Sequence, residues 1–149
     1  MLKEEIQKDL KTSMFARDEV RTSTLRLLLS SLKNYEIEKG LNYEANDEDV
    51  LTIVSREIKR RKEAIESYRN ADREEAAAKE EQELKILESY QPEQMGEAEV
   101  RKLVGEAISQ TGATTLSDMG KVMGALMPKV KGKADGQMIS AIVREKLSK

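Results

Sequence analysis

Pro92 is the first proline in this chain, and Gly40 is the only glycine that precedes it. β architectures reverse direction at intervals of about 8–12 residues and draw on glycine and proline to do so. A long stretch with so little punctuation reads as long helices. The whole chain holds 8 glycines and 2 prolines among 149 residues, which extends the argument to an all-α fold. Aromatic residues make up 3% and hydrophobic residues 38%, so the core must be aliphatic and thin. Charged residues at 36% give it a heavily solvated surface.

Apolar spacing supplies the elements. Leu2, Ile6, Leu10 and Met14 recur every four residues and define one helical stripe. Asp18 can cap a second helix carrying Leu25, Leu28, Leu32 and Tyr35, and Gly40 can stop it. Asn46 or Asp47 can cap a third with Val50, Val54, Ile58 and Ile65 on one face. A fourth, rich in alanine and glutamate, runs from about Asp72 to Ser89. Pro92 interrupts the pattern. Beyond it the spacing predicts three shorter helices: one ended by Gly112, one opened by the capping-box sequence Thr115–Asp118 and closed by Pro128, and one capped by Asp135. The charge balance changes with the pattern. Residues 1–94 carry 17 basic and 22 acidic side chains, and residues 95–149 carry 9 and 6. The expected organisation is an N-terminal helical domain of about four helices over residues 1–92 and a small three-helix domain over residues 93–149.

The chain has no cysteine and no histidine. Zinc and iron–sulfur sites, thiol nucleophiles, disulfide frameworks and a Ser-His-Asp triad are excluded. No phosphate-cradling glycine loop and no nucleophile elbow occurs. The residues therefore predict no catalytic centre, no cofactor and no metal. Charges crowd the first six residues, Met1-Leu2-Lys3-Glu4-Glu5-Ile6, where a secretory leader needs an apolar core. No window has the apolar length of a membrane span. A cytoplasmic location is the expectation.

Three features can carry binding. On a helix that advances about 100° per residue, Arg61 falls within the apolar stripe of Val54, Ile58, Ile65 and Tyr68. It is either a guanidinium held to grip an anion or one paired with a carboxylate of the fourth helix, Glu80 or Glu81. Gly120 and Gly124 stand one turn apart and make a strip that a backbone can approach, or that packs on a neighbouring helix. Lys129, Lys131 and Lys133 alternate in Pro128–Gly136. If extended, they fall on one side about 6.6 Å apart, comparable with successive phosphates. Lys121 precedes them, and Gly136 opens the last helix, whose N-terminus favours anions. A solvated lysine loop is the plainer alternative.

The run Asp118-Met119-Gly120-Lys121-Val122-Met123-Gly124-Ala125-Leu126-Met127 with Gly132-Lys133-Ala134-Asp135-Gly136 resembles the signature of the YqeY-like family. Thr24–Leu27, Ile37–Gly40 and Glu88–Gln94 carry the resemblance along the chain. Gln91 departs from it, because members commonly have leucine before the proline. The family shares its C-terminal domain with the tail of the B subunit of the tRNA-dependent amidotransferase. The resemblance implies an all-α fold with a three-helix tail of that kind. In the amidotransferase the tail helps hold the tRNA, while other domains phosphorylate a tRNA-bound Glu or Asp and place the amide with ammonia from glutamine. A carbon–nitrogen ligase label with glutamine as amido donor would follow from the shared tail. The catalytic core and its ATP and magnesium site have no counterpart in these residues. The expectation is thus a non-catalytic tRNA-binding or amidotransferase-associated module. Lys121, Lys129, Lys131 and Lys133 would touch phosphates, and Gly120, Gly124 and Gly136 would allow close approach. The alternatives are a protein–protein adaptor using the charged N-terminal helices and an accessory subunit of an amidotransferase core.

Overall fold

Seven α-helices and one 3-10 turn account for the ordered backbone of the computed structural model, which describes residues 1–148. Among the described residues there is no strand, so the fold is all-α, as expected. The chain forms two units, Met1–Gln91 and Pro92 onward.

The first unit holds α1 (Leu2–Phe15), α2 (Glu19–Lys39), α3 (Asp47–Asn70) and α4 (Glu74–Glu88). Local signals set their ends. The Asp18 carboxylate accepts from Arg21 N–H at 3.1 Å to start α2. Asn46 and Asp49 exchange side-chain and main-chain hydrogen bonds in a capping box that starts α3. Ile6, Leu25, Leu28, Leu32, Val50, Ile53, Val54, Ile58 and Leu87 form the core, aliphatic throughout. Tyr90 Oη donates to Asp9 at 2.6 Å and ties the end of α4 back to α1.

Two buried carboxylates in this unit behave in opposite ways. Glu36 of α2 accepts from Lys3 Nζ at 2.7 Å and from Ala45 N–H at 2.8 Å. The lysine and then the amide favour its charged form and hold its pKa below the ordinary value. Glu83 of α4 lies beside Glu80, facing Arg61 of α3. Burial first, then the hydrogen bond and charge of Glu80, push its pKa up despite the opposing pull of Arg61.

The second unit holds α5 (Glu97–Thr111), the 3-10 turn Leu116–Asp118, α6 (Met119–Val130) and α7 (Gly136–Leu147) around Val100, Val104, Ala107, Val122, Leu126, Val130, Ile139, Ile142, Val143 and Leu147. Gly112 ends α5 at φ 69°, a left-handed turn that glycine takes without strain. The expectation that Pro128 closes the sixth helix is corrected: α6 continues to Val130. Proline removes one helical hydrogen bond, but Val130 is fully buried and Lys131 N–H bonds Met127 C=O at 2.9 Å. Core burial carries the last turn past the proline.

The two carboxylates predict opposite pH dependences. A lowered pKa gives stability that is present above the unfolded value and lost as pH falls through the folded one. Replacing Glu36 with Gln should therefore cost stability at pH 7, with the difference from wild type closing as pH drops below 4.5. A raised pKa imposes a cost that grows as pH rises from the unfolded value through the folded one. Glu83→Gln should be more stable than wild type at pH 8, with the gap narrowing toward pH 4.5. Urea unfolding across that range checks both signs.

Candidate nucleic-acid interface

The rotation of α6 decides which of its residues can meet a ligand. Val122, Leu126 and Val130 are fully buried and point into the unit. At about 100° per residue, Gly120, Lys121, Gly124 and Pro128 fall within one sector facing the other way, and all four are exposed. Ideal Cβ atoms built at Gly120 or Gly124 would meet nothing within 4 Å. Neither glycine packs against another helix, so that reading of the strip is set aside. Gly124 lies in mid-helix, where glycine weakens the element relative to alanine, and among the described residues nothing lies within 4 Å of where its Cβ would stand to repay that weakness.

The lysines divide. Lys121 lies on the glycine face. Lys129 is exposed but about 140° around the helix from Gly124, on the flank of the buried sector. Lys131 is the residue that ends α6. Gly132 then turns the chain at φ 76°, and Lys133 follows. Residues 129–133 are thus a helix end and a tight turn. The extended row of three lysines about 6.6 Å apart is not formed. Burial of Val130 and the left-handed Gly132 prevent it. Gly136 is the first residue of α7 and has open space around it.

Sequence reasoning missed what holds this turn. Met95 N–H donates to Lys133 C=O at 2.7 Å, and Gln94 Nε2 donates to Gly132 C=O at 3.0 Å. The segment leading into α5 thereby clasps the α6–α7 connection through its carbonyls. Polar residues next to Pro92 were the only signal, and nothing in their spacing names a partner about forty residues on.

No acidic residue occurs from Met119 to Ala134, and the acids at either end are engaged. Asp118 accepts from Thr114 N–H at 3.0 Å and Thr115 N–H at 3.3 Å, which lower its pKa. Asp135 accepts from Gln137 N–H at 2.9 Å as the N-cap of α7. Asp118 also feels the charge of Lys121, so the sequence between the two capping acids is basic while Lys121 keeps an acid near it.

Arg61 belongs elsewhere. Its Nη1 donates to Glu57 at 2.8 Å, and its Nε lies 3.6 Å from Glu83 and 3.8 Å from Glu80. Three carboxylates surround the guanidinium and fill the place an external anion would take. Among the described residues, no group of His, Cys, Asp and Glu side chains is arranged to hold a metal ion, and no helix is long and apolar enough to cross a membrane.

Residues 3–147 match the family model described as Yqey-like protein. The chain is 31% identical over 121 residues to the altered inheritance of mitochondria protein 41, mitochondrial, of Vanderwaltozyma polyspora, covering 76% of this chain and 64% of the relative. It is 30% identical over 143 residues to the protein of the same name from Pyrenophora tritici-repentis, covering 94% and 77%. The Kluyveromyces lactis protein of that name is 40% identical over 90 residues, covering 58% and 46%. Two of these three matches span less than two thirds of the relative. All three relatives are named mitochondrial proteins, which overturns the cytoplasmic location expected above. The charged first residues carry no information about compartment.

Filling the open strip should strengthen the helix. Gly124→Ala is expected to raise the unfolding free energy by about 0.5–1 kcal/mol in urea denaturation. A loss of stability would mean that a neighbour already occupies that space.

Proposed function

The chain belongs to the YqeY-like family, and from that premise we propose that its C-terminal unit holds RNA, tRNA in the first instance, on the outward face of α6 and the turn that follows. One observation carries the reading. A mid-helix glycine is kept on an exposed face with nothing packed over it, in a run of sequence that holds lysines and no acid between Asp118 and Asp135. Such a strip lets a sugar–phosphate backbone lie against the helix, where a Cβ would hold it off. Lys121 reaches phosphates from the strip itself. Lys129, Lys131 and Lys133 surround the helix end and take a strand that curves around it rather than one that runs straight. The clasp from Gln94 and Met95 fixes the turn before the ligand arrives, so little ordering is left to oppose binding.

In this reading the module is a holder, and chemistry is left to an enzyme that the module accompanies. The shared tail of the tRNA-dependent amidotransferase makes an enzyme of that class the natural companion.

Binding of the purified chain to total tRNA across a salt series tests the proposal. Affinity should fall log-linearly with salt, with a slope that counts phosphate contacts. Combining Lys129→Glu with Lys131→Glu should weaken binding and reduce the slope by about 2 without changing helicity. Gly124→Ala should weaken binding while stabilising the fold, which separates the ligand's need for the strip from the protein's. Absence of binding at low salt would reject the proposal.

A further inference from the structure

The N-terminal unit displays an aromatic–cationic surface that the α6 reading does not use. Phe15, the only phenylalanine in the chain, is the last residue of α1 and is 90% exposed. Met14 beside it is half exposed, and Lys11, Met14 and Phe15 line a shallow groove of about 280 Å³. Cations ring this spot. On α1, Lys11 and Lys8 lie one and two turns before Phe15, about 40° to one side and 20° to the other. Arg26 of α2 reaches over Met14, with Nη2 3.9 Å from Sδ. Arg17 follows in the left-handed region at φ 57°, where a helix end ordinarily takes glycine. None of Lys8, Lys11, Arg17 and Arg26 forms an ion pair among the described residues. Of the neighbouring acids, Asp18 caps α2 and Asp9 holds Tyr90 and Arg21. Glu4, one turn before Lys8, and Glu19 are exposed, so cations outnumber the free acids around the ring.

We propose that Phe15 is a stacking platform for an unpaired base of single-stranded nucleic acid, with Lys8, Lys11, Arg17 and Arg26 taking the flanking phosphates. A polyanion matches the charge, and its flat rings match the centre. The shape separates this occupant from an acidic peptide. A peptide anchor gains affinity by entering a pocket that removes it from water, whereas Phe15 stands out from the surface over a groove with three lining residues. A base needs only the exposed ring face, and stacking of one base on an aromatic side chain changes affinity by about 5- to 150-fold. The site shares its class of ligand with the α6 interface and none of its residues.

The test uses the full chain and a labelled, unstructured 12-nucleotide oligoadenylate at low salt. Phe15→Leu keeps an apolar side chain and should lower affinity at least 5-fold with unchanged thermal unfolding. Phe15→Trp should retain binding. Because the chain has no other tryptophan, stacking should quench the new fluorescence on titration with the oligonucleotide. Equal binding by wild type and Phe15→Leu, or an unquenched indole at saturation, would overturn the proposal. So would an acidic peptide with an apolar anchor that displaces the oligonucleotide at equal concentration. Lys129→Glu with Lys131→Glu keeps the two interfaces apart. If that variant loses tRNA but its Phe15→Trp form is still quenched, the Phe15 site stands. If quenching is absent while wild type binds tRNA, only the Phe15 proposal fails.

Discussion

Burial of Val122, Leu126 and Val130 against α5 and α7 determines the rotation of α6, and everything that can be said of the candidate interface depends on that rotation. Three aliphatic side chains, each removed from water, turn Gly120, Lys121, Gly124 and Pro128 outward together. The same burial keeps the helix intact past Pro128, which converts an alternating lysine segment into a helix end and a turn. The hydrophobic requirement of the core thus chooses both the surface offered to a ligand and the path a ligand's backbone must follow over it.

The helices and their caps were legible because they rest on local rules. Asp18, Asn46, Asp135, Gly40 and Gly112 stand at the ends their chemistry favours. The details of the interface were less legible because they rest on tertiary contacts. Proline as a helix stop is a local rule, and it lost to the burial of Val130. Packing of Gly120 and Gly124 against a neighbour was a reasonable inference from their spacing, yet spacing cannot tell a buried strip from an open one. The bonds from Gln94 and Met95 to the α6–α7 turn join segments far apart in sequence and leave no pattern in either. Phe15 was hidden for a different reason: an aromatic residue in an aromatic-poor chain invites assignment to the core.

Electrostatics in the N-terminal unit shows how a highly charged sequence still folds to a defined helical arrangement. Arg61 carries its charge inside the α3–α4 hairpin because Glu57, Glu80 and Glu83 share it. That arrangement leaves one Nε without a hydrogen bond and one carboxyl, Glu83, with a raised pKa. Glu36 meets its burial differently, with a lysine and a main-chain amide both favouring its charge. One unit therefore contains a carboxylate that stabilises when ionised and one that costs when ionised. In the C-terminal unit the balance is simpler: the acids bracketing α6 are spent on caps and turns, and its lysines face outward or mark its end.

The most direct measurement is an amide-resolved NMR titration of the isotopically labelled chain with tRNA. The account predicts that the largest shifts or line broadening in the C-terminal unit fall on Gly120, Lys121 and Gly124 and on the turn through Gly132 and Lys133, with the buried face of α6 unmoved. Binding that leaves those amides unperturbed and moves the outer faces of α5 or α7 instead would contradict it.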